Sequence, residues 1–136
     1  MALLEWNETY SVGVAKFDEQ HKKLFGMINN LNDGMKAGKG KETLAAVLKG
    51  LIEYTASHFA DEEKAMAQYD FLQLQMHKNE HNKLVKQVLQ LQADYNSGKA
   101  MLSMEVMNFL RDWLNTHIAG TDKKYGEFFN AKGVKF

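Results

Sequence analysis

Two histidines four residues apart, His77 and His81, are the residues of this sequence whose type and spacing most clearly indicate chemistry. A four-residue step brings two side chains to the same face of a helix, one turn apart. That face consists of Leu74, His77, His81, Leu84, Val88, Leu91 and Tyr95, the spacing of a helix packed in a bundle. Both histidines therefore occupy positions where a core leucine is expected, and a pair there favours metal binding.

The other three histidines also fall on inward helical faces. Those faces are Phe17, His21, Leu24, Ile28, Leu31 and Met35; Leu44, Leu48, Leu51, Thr55, His58 and Glu62; and Val106, Leu110, Trp113 and His117. A single inward histidine is more often a hydrogen-bonded core residue than a ligand. Because all five histidines are placed inward, the sequence predicts a metal site. Imidazole suits zinc, copper, iron and nickel, so the ligand type alone does not identify the metal.

Two acidic residues accompany these histidines. Glu62 is in register with an inward face, and an ionised carboxylate in a core is costly without a partner. Asp122 is one residue late, because the next in-register position after His117 is Thr121. The last helix therefore either ends near Gly120 or contains a π-type bulge that turns Asp122 inward.

The number of candidate ligands indicates more than one metal ion. Seven side chains exceed what one tetrahedral zinc ion can bind. Two octahedral ions, bridged by both carboxylates and by one solvent-derived oxygen, would have roughly eleven of twelve positions filled. The remaining position would be open to a small ligand.

Composition limits the functions that the chain could perform. It has 17 basic and 17 acidic residues, no cysteine and no proline. The balanced charge argues against nucleic acid as a partner, and the lack of cysteine excludes thiolate catalysis and iron–sulfur clusters. No apolar run approaches the ~18 residues of a membrane span, and no leader pattern opens the chain. We therefore expect a cytoplasmic protein without membrane insertion.

The helical periodicity predicts an all-α fold, an antiparallel up-down-up-down four-helix bundle with an irregular N-terminal arm. We expect one domain over residues 1–136, with the arm at 1–17, the bundle at 18–130 and a mobile tail at 131–136. The aromatic residues that we expect to carry the arm across the bundle are Trp6, Tyr10 and Phe17.

Residues that are preferred at helix ends and in turns predict where the helices begin and end. Asp18 is a good N-cap for the first helix, and Asp70 with Gln73 resembles a capping box that opens the third. The second helix is expected from about Lys41 to Ala67, and the fourth begins between Lys99 and Ser103. The residues that mark the turns are Asn32, Asp33, Gly34, Gly38 and Gly40, and later Asn96, Ser97 and Gly98.

Taken together, the candidate ligands resemble the signature of the hemerythrin family. In this chain the signature is H…HxxxE…HxxxH…HxxxxD, running from His21 to Asp122 without a gap. The opening segment, Trp6–Lys22, is also similar to that of single-domain bacterial hemerythrins. The resemblance extends over essentially the whole chain and departs from the pattern at no ligand position.

This resemblance implies a non-haem centre of two iron ions joined by an oxo or hydroxo bridge. The implied ligands are His77, His81 and His117 for one ion, His21 and His58 for the other, and Glu62 and Asp122 as bridges. O2 would bind at the ion that is held by two histidines. The implied function is reversible O2 binding for storage, transport or delivery to an oxygen-using enzyme, by a monomer that is not itself an enzyme.

The resemblance also implies an apolar pocket around the bound O2. The family's pocket positions fall on Leu24, Phe59, Trp113 and Leu114. Ile118 is added because it lies four residues after Leu114 and so shares its helical face. A dry wall of this kind would limit the entry of water and protons and slow oxidation of the iron.

Two other functions fit part of the sequence. The segment from His77 to His81 also spells H-x-x-E-H, an inverted zinc-peptidase motif in which Glu80 would be the base. That interpretation leaves three histidines unexplained, and Glu80 lies off the inward face. Asp61 and Glu63 also point away from the inward face of their helix, and we interpret them as solvent-exposed charges. An O2 or redox sensor using the same site would need an output domain, which we do not expect in this chain.

Overall fold

Four antiparallel helical rods make up the structure, a computed structural model that describes residues 3–99, 101 and 103–133. The first three rods are α1 (Ala15–Lys36), α2 (Lys41–Gln68) and α3 (Leu74–Asn96). The fourth is continuous and consists of α4 (Met104–Thr116), a π-helix (His117–Asp122) and α5 (Lys123–Ala131). A short 3-10 turn, Glu8–Tyr10, lies in the N-terminal arm. α2 packs against α1 and α3, and α1 packs against α4, so the predicted four-helix bundle is confirmed.

The interior of the bundle contains two apolar clusters with the histidines between them. The large core surrounds Leu24, Leu48 and Leu110, and the small core surrounds Phe17 and Tyr125. Rings from both cores contact the histidines. Phe59 of the large core stacks on His81, and Phe17 of the small core meets His58 edge-on. The histidines are therefore held between two packed apolar layers.

The N-terminal arm lies across the bundle, as predicted, and contacts α1 and the fourth rod. The Phe25 ring of α1 is covered by Trp6 and Tyr10, whose ring centroids lie 5.6 and 4.9 Å away. Asn29 binds the arm through both backbone groups of Leu4, accepting from its N–H at 2.9 Å and donating to its carbonyl at 2.8 Å. These contacts hold an irregular segment in place by hydrogen bonds as well as by packing.

The predicted N-cap of the first helix is wrong. α1 begins at Ala15, and Asp18 lies in its first turn. The Asp18 carboxylate accepts hydrogen bonds from the Ser11 hydroxyl at 2.6 Å and the Val12 N–H at 2.8 Å. Asp18 therefore fastens the arm to the helix, and the arm ends at Val14 instead of residue 17.

The predicted capping box between Asp70 and Gln73 is also wrong. Asp70 has a left-handed backbone, with φ 57°, and the N–H of Phe71 donates to the carbonyl of Met66 at 2.9 Å. This geometry closes a preceding helix, and short polar residues tolerate it better than most. Asp70 therefore ends α2, and α3 begins at Leu74 without a side-chain cap.

The remaining boundaries differ little from expectation. α4 begins at Met104, one residue after the predicted range, and Ser103 caps it by accepting a hydrogen bond from the N–H of Val106. The first turn is shorter than predicted, because Asn32, Asp33 and Gly34 still belong to α1. Of the predicted tail, Ala131 belongs to α5 and residues 134–136 lie outside the described residues. Across the described part of the chain, the helices are too short or too polar to span a membrane.

Candidate metal centre

Seven buried side chains from all four rods meet inside the bundle, between the two apolar cores. They form two overlapping groups whose ligand atoms lie within 4.8 Å of one another. The first group is Glu62, His77, His81, His117 and Asp122, and the second is His21, His58, Glu62 and Asp122. All seven are at most 3% exposed. Every candidate ligand named from the sequence is therefore brought to the same place.

Glu62 belongs to both groups because its two oxygens face different histidines. Its Oε2 lies 3.2 Å from Nε2 of His21 and 3.3 Å from Nε2 of His58. Its Oε1 lies 3.3 Å from Nε2 of His81, on the other side of the carboxylate. A carboxylate with one oxygen in each group has the geometry of a bridge between two sites.

Asp122 divides its oxygens in the same way. Oδ2 lies 3.0 Å from Nε2 of His21, whereas Oδ1 lies 3.0 Å from Nε2 of both His77 and His117. The two carboxylates thus run side by side between the groups, each with one oxygen in each group. Two like charges this deep in a core require cations around them.

The spacing of the inward-facing nitrogen and oxygen atoms suits coordination of a metal ion better than hydrogen bonding between the side chains. Two ligand atoms at about 2.1 Å from one ion, at right angles, are about 3.0 Å apart. The facing atoms lie 3.0–3.3 Å apart, yet several of them make no hydrogen bond. Those atoms are Nε2 of His58, His81 and His117, Oε1 of Glu62 and Oδ2 of Asp122. Buried polar atoms normally have partners, so this donor set is arranged around common centres that a metal ion would occupy.

The π-helix is what brings Asp122 to the site. In a regular α-helix a five-residue step leaves two side chains about 140° apart. Residues His117–Asp122 form a π-helix, and the side chains of its first and last residues are both buried, with Nε2 of His117 3.0 Å from Oδ1 of Asp122. The backbone continues directly into α5, so the bulge is confirmed and the alternative of a helix ending near Gly120 is wrong.

Two acidic residues that we interpreted as solvent-exposed charges contact the site, and that interpretation is wrong. Glu63 accepts a hydrogen bond from Nδ1 of His81 at 2.8 Å. Asp61 accepts from the amide nitrogen of Gln20 at 2.9 Å, and the amide oxygen of Gln20 lies 2.5 Å from Nδ1 of His58. These contacts join different helices, so the periodicity within one helix gives no signal for them.

Tyr125 is a further residue that the sequence did not connect with the site. Its ring is fully buried, and its hydroxyl donates a hydrogen bond to Oε2 of Glu62. Burial and the nearby charges of Asp122 and Glu62 raise the pKa of Tyr125 well above its usual value. The hydroxyl therefore stays protonated and remains a donor to the carboxylate.

The five residues predicted for the O2 pocket are all buried in the large core. They are Leu24, Phe59, Trp113, Leu114 and Ile118, with exposures from 0 to 7%. The Phe59 ring stacks on His81 with ring centroids 3.8 Å apart and lies 5.3 Å from His117. Phe59 is thus in direct contact with the histidine cluster, and the role of the five residues in O2 binding stays a prediction.

The charges of the site strongly affect its protonation when no metal competes. Burial lowers the pKa of His21, but close contact with the charged Asp122 and Glu62 carboxylates outweighs burial and raises that pKa to about 10. Burial raises the pKa of Glu62, yet the charge of His58 and hydrogen bonds from histidines hold it well below its usual value. The pKa of Asp122 is also lowered, because its histidine partners outweigh burial and the charge of Glu62. A proton on His21 thus takes the place of metal charge in the metal-free site.

These shifts predict how the stability of chelator-stripped protein depends on pH. The raised pKa of His21 gives a stabilisation that is complete below 6.5 and is lost as the pH rises toward about 10. The lowered pKa of Asp122 gives one that is complete above 3.8 and is lost as the pH falls. We expect the free energy of unfolding to be largest between about pH 4 and 6.5. Urea unfolding from pH 3 to 10 measures it, and His21→Gln should flatten the alkaline side. An unchanged alkaline slope in that variant would contradict the assignment.

Both the sequence and the fold match those of known proteins. The family model described as Hemerythrin HHE cation binding domain matches residues 12–129. The chain is 36% identical over 132 residues to the bacteriohemerythrin of Methylococcus capsulatus, covering 96% of this chain and all of that protein. It is 34% identical over 120 residues to a hemerythrin-like protein of Naegleria gruberi, covering 88% of each chain. A crystal structure of wild-type hemerythrin, 36% identical, superposes with a TM-score of 0.85 over 93% of this chain and 97% of the other.

Proposed function

Because this chain belongs to the hemerythrin family, we propose that it binds O2 reversibly at a centre of two iron ions. The observation that carries the proposal is the division of each carboxylate between two ligand groups. A single-metal site needs no such division. Five neutral imidazoles and two carboxylates also form a donor set that suits iron.

The proposed ligands follow the two groups. His77, His81 and His117 would hold one ion, His21 and His58 would hold the other, and Glu62 and Asp122 would offer one oxygen to each. The position with two histidines would have fewer protein ligands, and it would therefore be the one left open to a small molecule. When bound, iron supplies the electrons that make O2 binding possible and takes them back on release.

The chain's own residues protect this chemistry. The Phe59 ring lies 5.8 Å from that of His58, and the rest of the proposed pocket is buried core, so water and protons are kept from the open position. Tyr125 donates to Glu62 and holds that carboxylate in its bridging orientation. In this proposal the protein is a cytoplasmic monomer of one domain. It stores O2 or delivers it to an oxygen-using enzyme, and it is not itself an enzyme.

An absorption spectrum tests the proposed function directly. Protein loaded with iron(II) under nitrogen and then exposed to air should gain a visible charge-transfer band, and purging with nitrogen should remove it. Two iron ions per chain are expected by metal analysis. A band that bleaches while an added substrate is oxidised would instead show an oxidase.

Two variants on α3 separate the diiron proposal from a zinc peptidase. His77→Ala should lose bound iron and the visible band, because it removes a ligand from the first group. Glu80→Ala is the matched control: Glu80 lies beside His77 in a surface depression but belongs to neither ligand group. It should keep the iron content and the band within error. Loss of function in Glu80→Ala, together with copurified zinc, would favour the peptidase and contradict the proposal.

A further inference from the structure

Two of the five histidines have a side-chain hydrogen-bond partner at the ring nitrogen that faces away from the ligand groups. These are His81, bound to Glu63, and His58, bound to Gln20. Among the described residues, Nδ1 of His21 and of His117 has no such partner although it is buried. The outer contacts are therefore confined to one histidine in each ligand group.

The contact at His81 fixes the tautomer of the ring. An ionised carboxylate only accepts hydrogen bonds, so the proton of neutral His81 must lie on Nδ1, 2.8 Å from Glu63. Nε2 is then left with a free lone pair, and it is this atom that faces Glu62 within the cluster. Glu63 thus prepares His81 as a ligand.

The contact at His58 reaches the same result through a neutral group. The Asp61 carboxylate accepts from the Gln20 side chain, so the amide nitrogen of Gln20 must face Asp61. The amide oxygen then faces His58 and accepts from its Nδ1. If the amide were turned over, its N–H2 would face the ring and favour a proton on Nε2, which would block a metal ion. Asp61 therefore determines which way Gln20 points.

The difference between the two partners has an electronic consequence. A carboxylate behind a ligating histidine raises the basicity of the ring more than a neutral amide does. Glu63 lies behind the group that contains His77 and His117, and Gln20 lies behind the group that contains His21. His81, at the position with three histidines, is thus made a stronger donor than His58, at the position with two.

We propose that Glu63 and the Gln20–Asp61 pair are positioning residues that hold His81 and His58 as Nδ1-protonated ligands and make the two metal positions unequal in donor strength. The inequality rests on the proposed diiron function and deepens it. The more basic three-histidine position favours the oxidised ion, and the two-histidine position keeps its ion more easily reduced.

Zinc(II) is the probe for the first part of the test, because it is diamagnetic and binds without O2 chemistry. Nitrogen-15 NMR of the histidine rings in zinc-loaded protein should show His81 and His58 protonated at Nδ1. Glu63→Gln should make one zinc ion per chain at least about 10-fold easier to extract with a chelator. Gln20→Leu should do the same for the other zinc ion, and Asp61→Leu should move part of the His58 proton to Nε2.

The second readout is the reduction potential of bound iron, which would not change if Glu63 had only a structural role. The reduction midpoint potential of iron-loaded Glu63→Gln should lie above that of the wild type, because the stronger donor is lost. Glu53→Gln is the matched control: it is the same substitution on the same helix, on a side chain that is 68% exposed. It should match the wild type in zinc extraction and in midpoint potential.

The outcomes separate this inference from the proposed function. If Glu63→Gln matched Glu53→Gln in zinc extraction and in reduction midpoint potential, the inference would be overturned, even if the wild type binds O2. Rings protonated at Nε2 would overturn it as well. If the zinc and potential results appear as expected but O2 does not bind reversibly, the positioning roles stand and the proposed O2 function fails.

Discussion

Replacing Glu62 with glutamine is expected to abolish binding of both metal ions. The carboxylate has one oxygen in each ligand group, so its loss removes a ligand from each. An amide is neutral, and one of its two ends is a donor that cannot bind a cation. The loss of affinity should exceed the roughly 100-fold that removal of an outer hydrogen-bond partner can cost. Metal analysis after desalting, and titration of the stripped protein with zinc(II), measure it.

The same substitution should destabilise the metal-free protein. Glu62 is fully buried and is the partner of His21, so its neutralisation leaves a cation with less compensation. Breaking a buried pair in this way costs about 3–5 kcal/mol. Glu53→Gln again serves as the control, because it changes only an exposed ion pair with Lys49. Retention of two tightly bound ions by Glu62→Gln would show that the carboxylate is not a bridge.

The candidate ligands were predictable because polar residues on an apolar helical face are conspicuous. His77 and His81 interrupt a regular stripe, and the same is true of His21, His58 and Glu62 on their helices. A buried charge is costly, so each such interruption demands a partner. All of these residues lie in the clusters that the structure shows. Helical periodicity within single segments was enough to find them.

What the sequence could not predict depends on how the helices pair. Glu63 and Asp61 lie off the inward face of α2, and the rotation of α2 against its neighbours brings them to His81 and Gln20. Nothing in one helix reveals that rotation. Asp70 shows a second limit: an aspartate suits a helix start, but it also tolerates the left-handed backbone that ends α2.

The N-terminal arm passes so close to α5 that a substitution at Gly126 is expected to have a large effect. Gly126 is buried in α5, and a Cβ atom placed there would lie 2.3 Å from the carbonyl oxygen of Val12. That backbone cannot easily retreat, because Asp18 holds the N–H of Val12 and Asn130 donates to its carbonyl. Gly126→Ala should therefore displace the arm and destabilise the protein by about 1–3 kcal/mol, as overpacking does. Thermal unfolding, with Tm several degrees lower, measures the loss.

The displacement should also reach the metal centre, because the residue before Gly126 is Tyr125, whose hydroxyl holds Glu62. Zinc(II) should be extracted faster from Gly126→Ala, and protease should cleave the arm sooner. Gly26→Ala is the matched control, since Gly26 lies exposed in α1 and, apart from the adjacent helix backbone, no atom of the described residues lies within 4 Å of the added methyl group. Removing a glycine from an open helical position should stabilise the protein by roughly 0.5–1 kcal/mol. The same substitution is thus expected to change stability in opposite directions at the two sites. If Gly126→Ala also stabilised the protein and kept its zinc, the close crossing of the arm over α5 would not be a feature of the folded protein in solution.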